Sequence, residues 1–149
     1  MTTAEASRRS ASGNVVVCAV GDVLIKQSDP GLPFAFMREA MKGADIRFGN
    51  CEAAYSDTRE RNPVAVGHFA CKASNVAGLK QAGFNVMSVA NNHILDSGYS
   101  GLFDTIESLN AANIATAGGG RNVREARRPA VLEVNGTKVA FLAYTCHVP

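Results

Sequence analysis

Long apolar runs are missing from this chain. No stretch of about 18 consecutive apolar residues occurs, so no membrane-spanning helix is expected. Charge of one sign is also scarce. Fifteen Lys and Arg stand against thirteen Asp and Glu, a net charge of +2. The basic residues are scattered, so nucleic acid is not an expected partner. The four cysteines, Cys18, Cys51, Cys71 and Cys146, include no CxxC pair. They read as small apolar residues rather than as a zinc or redox motif. No internal repeat or heptad is present. Residues 1–14 carry Arg8-Arg9 but no apolar segment behind them, so they lack the core of a secretory signal. They read as a disordered leader, with a cytoplasmic location as the expectation.

What is there is an ordinary globular composition. Of 149 residues, 46% are hydrophobic and 19% charged, which suits one domain, residues 15–149, with a sizeable core. Apolar runs of strand length alternate with helical patterns. Val15 to Val20 is apolar on both faces, as in a strand covered on both sides. Phe34 to Lys42 spaces Phe34, Met37 and Met41 as one short helix. Ala44 to Gly49 is a second strand. Ser56 to Val66 is a polar surface excursion, and His68 to Cys71 a minor strand. Ser74 to Ala82 is a helix with Ser74 as N-cap and Gly83 as its stop. Asn85 to Ala90 is the next strand, and Gly98 to Asn110 a helix buried through Leu102, Phe103, Ile106 and Leu109. Asn113 to Ala117 is a short strand, and Gly118-Gly119-Gly120-Arg121 reads as a flexible connector. Ala130 to Val134 and Thr137 to Tyr144 flank Asn135-Gly136, the pattern of a tight type I′ hairpin. The order is that of an α/β protein, a mostly parallel sheet with flanking helices and a late antiparallel addition.

Three of these strands end in polar groups: Gly21-Asp22, Asn50-Cys51-Glu52 and Asn91-Asn92-His93. Ligands of open α/β sheets bind at the carboxyl ends of strands. If the strands are neighbours, Asp22, Glu52, Asn92 and His93 meet there. That oxygen and nitrogen set suits Mn²⁺, Mg²⁺, Fe or Zn²⁺ without selecting among them. Such a cation polarises a phosphoryl or carbonyl oxygen and acidifies bound water. Cys51 points away from its two neighbours if the segment is extended, into the core.

Gly21-Asp22-Val23, Asn50-Cys51-Glu52 and Ala90-Asn91-Asn92-His93-Ile94-Leu95-Asp96-Ser97-Gly98 resemble the ordered motifs of the bacterial capsule-synthesis, poly-γ-glutamate (CapA, PGA_cap) family. Ala117 to Asn122, Glu125 to Pro129 and Val134 to Thr145 extend the resemblance, which runs from about Val15 to Thr145. The family is related to the calcineurin-like metallophosphoesterases. The resemblance therefore implies an αββα sandwich with a metal site at the strand ends. It implies Asp22, Glu52 and Asn92 as metal ligands and His93 as the catalytic residue that contacts phosphate or donates a proton. Asn50, Asn91 and Asp96 are then supporting or substrate-contacting residues. Two departures stand out. The related phosphoesterases carry Asp-x-His at the first motif, whereas Val23-Leu24 follows Asp22 here. Family members are also considerably longer and bear later His motifs, so an N-terminal half with an incomplete site is the expectation.

The function implied is metal-dependent hydrolysis in capsule or poly-γ-glutamate synthesis, acting on a phosphoester or on the anionic polymer. The alternative is a non-catalytic module or fragment that binds an anionic polymer or a synthase partner. A half-sandwich leaves apolar surface open, so a homo-oligomer or a covering partner chain is expected. Relatives are often membrane-associated or exported.

Overall fold

A computed structural model describes residues 13–147. The proposed leader, residues 1–14, falls almost wholly outside the described residues. Four parallel strands form the central sheet: β1 (Val17–Val23), β2 (Ile46–Cys51), β5 (Val86–Ser88) and β6 (Ala115–Ala117), in the order β1-β2-β5-β6. Between β2 and β5, β3 (Ala54–Tyr55) and β4 (Ala70–Cys71) make a small parallel pair. The helices are α1 (Met37–Met41), α2 (Val76–Ala82), α3 (Gly98–Ala111) and the short α4 (Val123–Ala126). The antiparallel pair β7 (Ala130–Val134) and β8 (Thr137–Phe141) closes the described chain.

Alternation along the strands sorts the core into two layers. Cys18, Val20, Cys51, Met87 and Val89 face one side and pack on Met41, Val76, Leu79, Ala82, Leu102 and Leu109 of α1 to α3. Ile46, Phe48, Val86, Ala115 and Ala117 face the other side and pack on Leu132, Val134, Val139 and Phe141 of the hairpin. Phe48 stacks on Phe141 with centroids 5.6 Å apart. Helices, sheet and hairpin are three of the four layers of an αββα sandwich, as the sequence implied.

Local chemistry explains the terminations. Gly83 takes φ +89° after α2 and its N–H bonds the Leu79 and Lys80 carbonyls, a left-handed stop that disfavours a side chain. Asn135 and Gly136, at φ 51° and 75°, make the type I′ turn of the hairpin. Arg47 donates to the carbonyls of Met41, Lys42 and Gly83, tying the ends of α1 and α2 to β2.

Several expectations need correction. The hairpin is a separate two-stranded sheet lying on the central one, because its apolar face is spent on packing rather than its edge on pairing. β1 is an edge strand half open to solvent, with Val17 47% exposed, since the hairpin covers the strands beyond it. The helix expected over Phe34 to Lys42 splits into a 3-10 turn at Leu32–Phe34, where Pro33 enters, and α1, which leaves Met37 exposed. Ser74 is not an N-cap: it lies inside a 3-10 turn, Ala73–Asn75, that leads directly into α2. Gly118 to Gly120 are not a loose connector. A Cβ on Gly119 would strike Val89, Ile106 and Leu102, so the segment is packed too closely for side chains. No helix among the described residues is long and apolar enough to cross a membrane.

Candidate strand-end site

A bulge in β1 sets the first carboxylate. The register runs Ala19 to Phe48 and then Asp22 to Asn50, so β1 holds one residue more than β2 across this interval. The extra residue inverts the alternation and brings Asp22 onto the face of Asn50. Glu52, two residues on from Asn50, shares that side. Asn50 Nδ2 then donates to Asp22 Oδ1 at 2.8 Å and to Glu52 Oε2 at 2.6 Å. Cys51, in between, points into the helical core and accepts no role at the mouth. Its Sγ lies 3.5 Å from the Ala53 carbonyl, and burial pushes its thiol pKa well up.

The loop after β5 sets the imidazole. Asn91 turns inward and is buried. Its Nδ2 donates to the Cys51 carbonyl at 2.7 Å and to Asn50 Oδ1 at 3.2 Å, while its Oδ1 accepts the His93 N–H at 3.0 Å. Asn91 thereby joins the ends of β2 and β5. His93 Nδ1 lies 2.9 Å from Asp96 Oδ2, which also accepts the Phe69 N–H at 2.9 Å. Asp96 is 2% exposed. A buried carboxylate that accepts from a backbone amide fixes His93 with its proton on Nδ1 and leaves Nε2 facing the mouth. Nε2 stands 3.9 Å from Glu52 Oε1.

The electrostatics of the mouth are unbalanced. The Glu52 carboxyl is raised above its ordinary value of 4.5, first by partial burial and then by the charge of Asp22, with His93 and the Asn50 amide pulling the other way. Two carboxylates thus share one amide group, with one N–H each. Oxygens so arranged suit a hard or borderline divalent cation in chemical type. They do so only in part: no three His, Cys, Asp or Glu side chains close into a metal-holding group among the described residues. A closed coordination shell needs donors beyond these.

Of the residues singled out in the sequence, Asp22, Asn50, Glu52, Asn91, His93 and Asp96 come together. Asn92 stands exposed, and no side-chain hydrogen bond joins it to the others among the described residues. His68, half-buried, reaches Ser97 Oγ at 3.1 Å rather than the carboxylates. Sequence reasoning missed Phe69, whose ring lies 4.3 Å from that of His93 at 48°. It also missed Lys26, whose Nζ sits 5.0 Å from the centroid of the Phe69 ring. Nothing local marks either residue, since their approach to His93 depends on packing between segments far apart in the sequence.

An α/β domain with helices on one sheet face and a hairpin on the other is consistent with the metallophosphatase-like fold class. The profile of the bacterial capsule synthesis protein PGA_cap matches residues 10–148. The chain belongs to that family, whose members serve capsule and poly-glutamate synthesis. It is similar to the capsule biosynthesis protein CapA of Bacillus anthracis, 37% identical over 78 residues, which cover 52% of this chain and 19% of that protein. It is 34% identical over 149 residues to the uncharacterized protein y4sH of Sinorhizobium fredii, covering 90% of this chain and 32% of the relative. The PGA biosynthesis protein CapA of Bacillus subtilis is 24% identical over 136 residues, 89% of this chain and 36% of its own length. The chain therefore spans between a fifth and somewhat over a third of these relatives.

Proposed function

We propose that this chain carries a metal-dependent hydrolytic site of capsule or poly-glutamate synthesis, acting on a phosphoester or on the anionic polymer. The observation that supports it is the convergence of Asp22, Glu52 and His93 from three adjacent strand ends, linked through Asn50 and Asn91. Asp22 and Glu52 would hold a divalent cation, with Asn92 free to turn toward it. The cation, Mn²⁺, Mg²⁺, Fe or Zn²⁺, would supply a polarised substrate oxygen and an acidified water. His93, oriented by Asp96 and protonated at Nε2 as well as Nδ1, would give the Nε2 proton to the leaving-group oxygen as its bond breaks. Phe69 walls one side of the imidazole and limits its access to bulk water. The absence of a histidine two residues after Asp22 argues for a simpler centre than the full dinuclear one.

A generic phosphodiester such as bis-(p-nitrophenyl) phosphate, with Mn²⁺, tests this reading. Turnover that His93→Ala reduces by at least about 100-fold is the expected result. A second reading, a non-catalytic module for an anionic polymer, is favoured by the open ligand shell. It predicts polymer binding with no turnover, unchanged by His93→Ala.

A further inference from the structure

The exposed cation at the lip of the site has no ion-pair partner among the described residues. Lys26 lies three residues past the end of β1, and the backbone ahead of it is pinned by two buried side chains. The Ile25 N–H donates to Tyr55 Oη at 3.2 Å, and Asn75 Nδ2 donates to the Ile25 carbonyl at 2.8 Å. Tyr55 is fully buried, and its own N–H donates to Thr105 of α3. Lys26 therefore leaves a rigid anchor. Its ammonium lies 5.0 Å from the centroid of Phe69, and Phe69 lies 4.3 Å from the ring of His93. The Phe69 backbone is held by Asp96, the same carboxylate that orients His93. Lys26, Phe69, His93 and Asp96 form one connected chain of contacts with the cation at its end. Among the described residues no carboxylate lies within ion-pair distance of Lys26. Arg121, by contrast, is occupied by Glu107 at 2.9 Å and by the face of Phe103.

We propose that Lys26 is the specificity-determining residue of this site, receiving an oxyanion of the substrate that lies beside the group facing His93. A cation over an aromatic face is held in place while its N–H donors stay free, which is how a lysine is presented to an anion without a carboxylate beside it. The ligand chemistry is a phosphoryl or a carboxylate oxygen. A neutral substrate gains nothing from Lys26, whereas a chain bearing carboxylates or phosphates at regular spacing sets one of them on Lys26 and the next at the mouth. The inference rests on the strand-end site proposed above and adds the group that chooses its substrate.

The test is an NMR titration of the 149-residue chain with inorganic phosphate and, separately, with a γ-linked glutamate trimer, following the His93 and Phe69 ring signals. Both rings shift in the wild type. Lys26→Gln weakens the preferred anion about 10-fold, the scale of one charge-assisted hydrogen bond. Lys26→Arg stays within about 3-fold, and Lys42→Gln, an exposed lysine elsewhere, matches the wild type. The tighter of the two anions identifies the source of the oxyanion. Equal binding by Lys26→Gln, equal weakening by Lys42→Gln, or no ring shift in the wild type overturns the proposal. A parallel Mn²⁺ titration keeps the readings apart: anion binding lost on Lys26→Gln with no Mn²⁺ bound in any variant sustains the lysine and sinks the metal.

Discussion

The two sides of the strand-end mouth are built on opposite principles. On the β5 side, Asn91, His93 Nδ1 and Asp96 Oδ2 are engaged: the Asn91 amide donates to Cys51 and accepts from the His93 N–H, and Asp96 is buried with a backbone amide and an imidazole on one oxygen. On the β1–β2 side, Asp22 and Glu52 share the amide group of Asn50, and Glu52 is raised first by partial burial and then by its neighbour's charge. Removing a group from the first side should cost stability. Removing a charge from the second should cost none. Under the proposed function, the fixed imidazole and the two crowded carboxylates are the groups a cation and its substrate would meet.

The largest expected effect tests the engaged side. Asp96→Ala strands the Phe69 N–H and the His93 Nδ1–H in a part-buried place. It should lower the unfolding free energy by about 3 kcal/mol in urea titration. A loss under about 1 kcal/mol would mean that His93 is not held as described. The middle effect tests the open side. Glu52→Gln keeps an oxygen for Asn50 and removes the like charge beside Asp22. With solvent screening at this half-open position, metal-free stability should stay level or rise by about 0.5 kcal/mol. A loss above about 1 kcal/mol would show that the carboxylate is already compensated, and the contrast between the two sides would collapse.

The smallest effect compares two glutamates in the metal-free chain. Glu52 is raised and Glu125 lowered, the latter by the Arg121 N–H at 2.8 Å and the Asn122 amide beside it. The signs are opposite. A raised carboxyl is penalised when charged, so its contribution falls as pH climbs from 4.5 through the folded value. A lowered carboxyl stabilises above 4.5, and that contribution is lost as pH falls through its folded value. Carboxyl-detected NMR titration should place the Glu52 midpoint above 4.5 and that of Glu125 below. Coincident midpoints would contradict both.

Much of this was legible in the sequence because it is local. The Asn-Gly turn, the Gly83 stop and the extent of α3 depend on a few adjacent residues. The polar strand ends were legible as well, since apolar runs stop abruptly at Asp22, Asn50 and Asn91. What escaped depends on packing between distant segments. Periodicity could not show that one residue is gained in β1, although that bulge is what turns Asp22 toward Asn50. Nor could it tell which of two adjacent asparagines turns inward, a choice made by the Cys51 carbonyl and Asn50 across the sheet. Phe69 and Lys26 lie on loops whose approach to His93 follows from the β3–β4 pairing and from the Tyr55 anchor. The layering of the hairpin on the sheet, rather than beside it, likewise depended on Phe48 and Phe141 finding each other.

Calorimetric titration with Mn²⁺ tests the central claim most directly, because the crowded carboxylates are what the cation would meet. The wild-type chain should bind, and Asp22→Ala and Glu52→Gln should each weaken binding by at least about 10-fold while melting at or above the wild-type temperature. Equal affinity in all three would contradict the account.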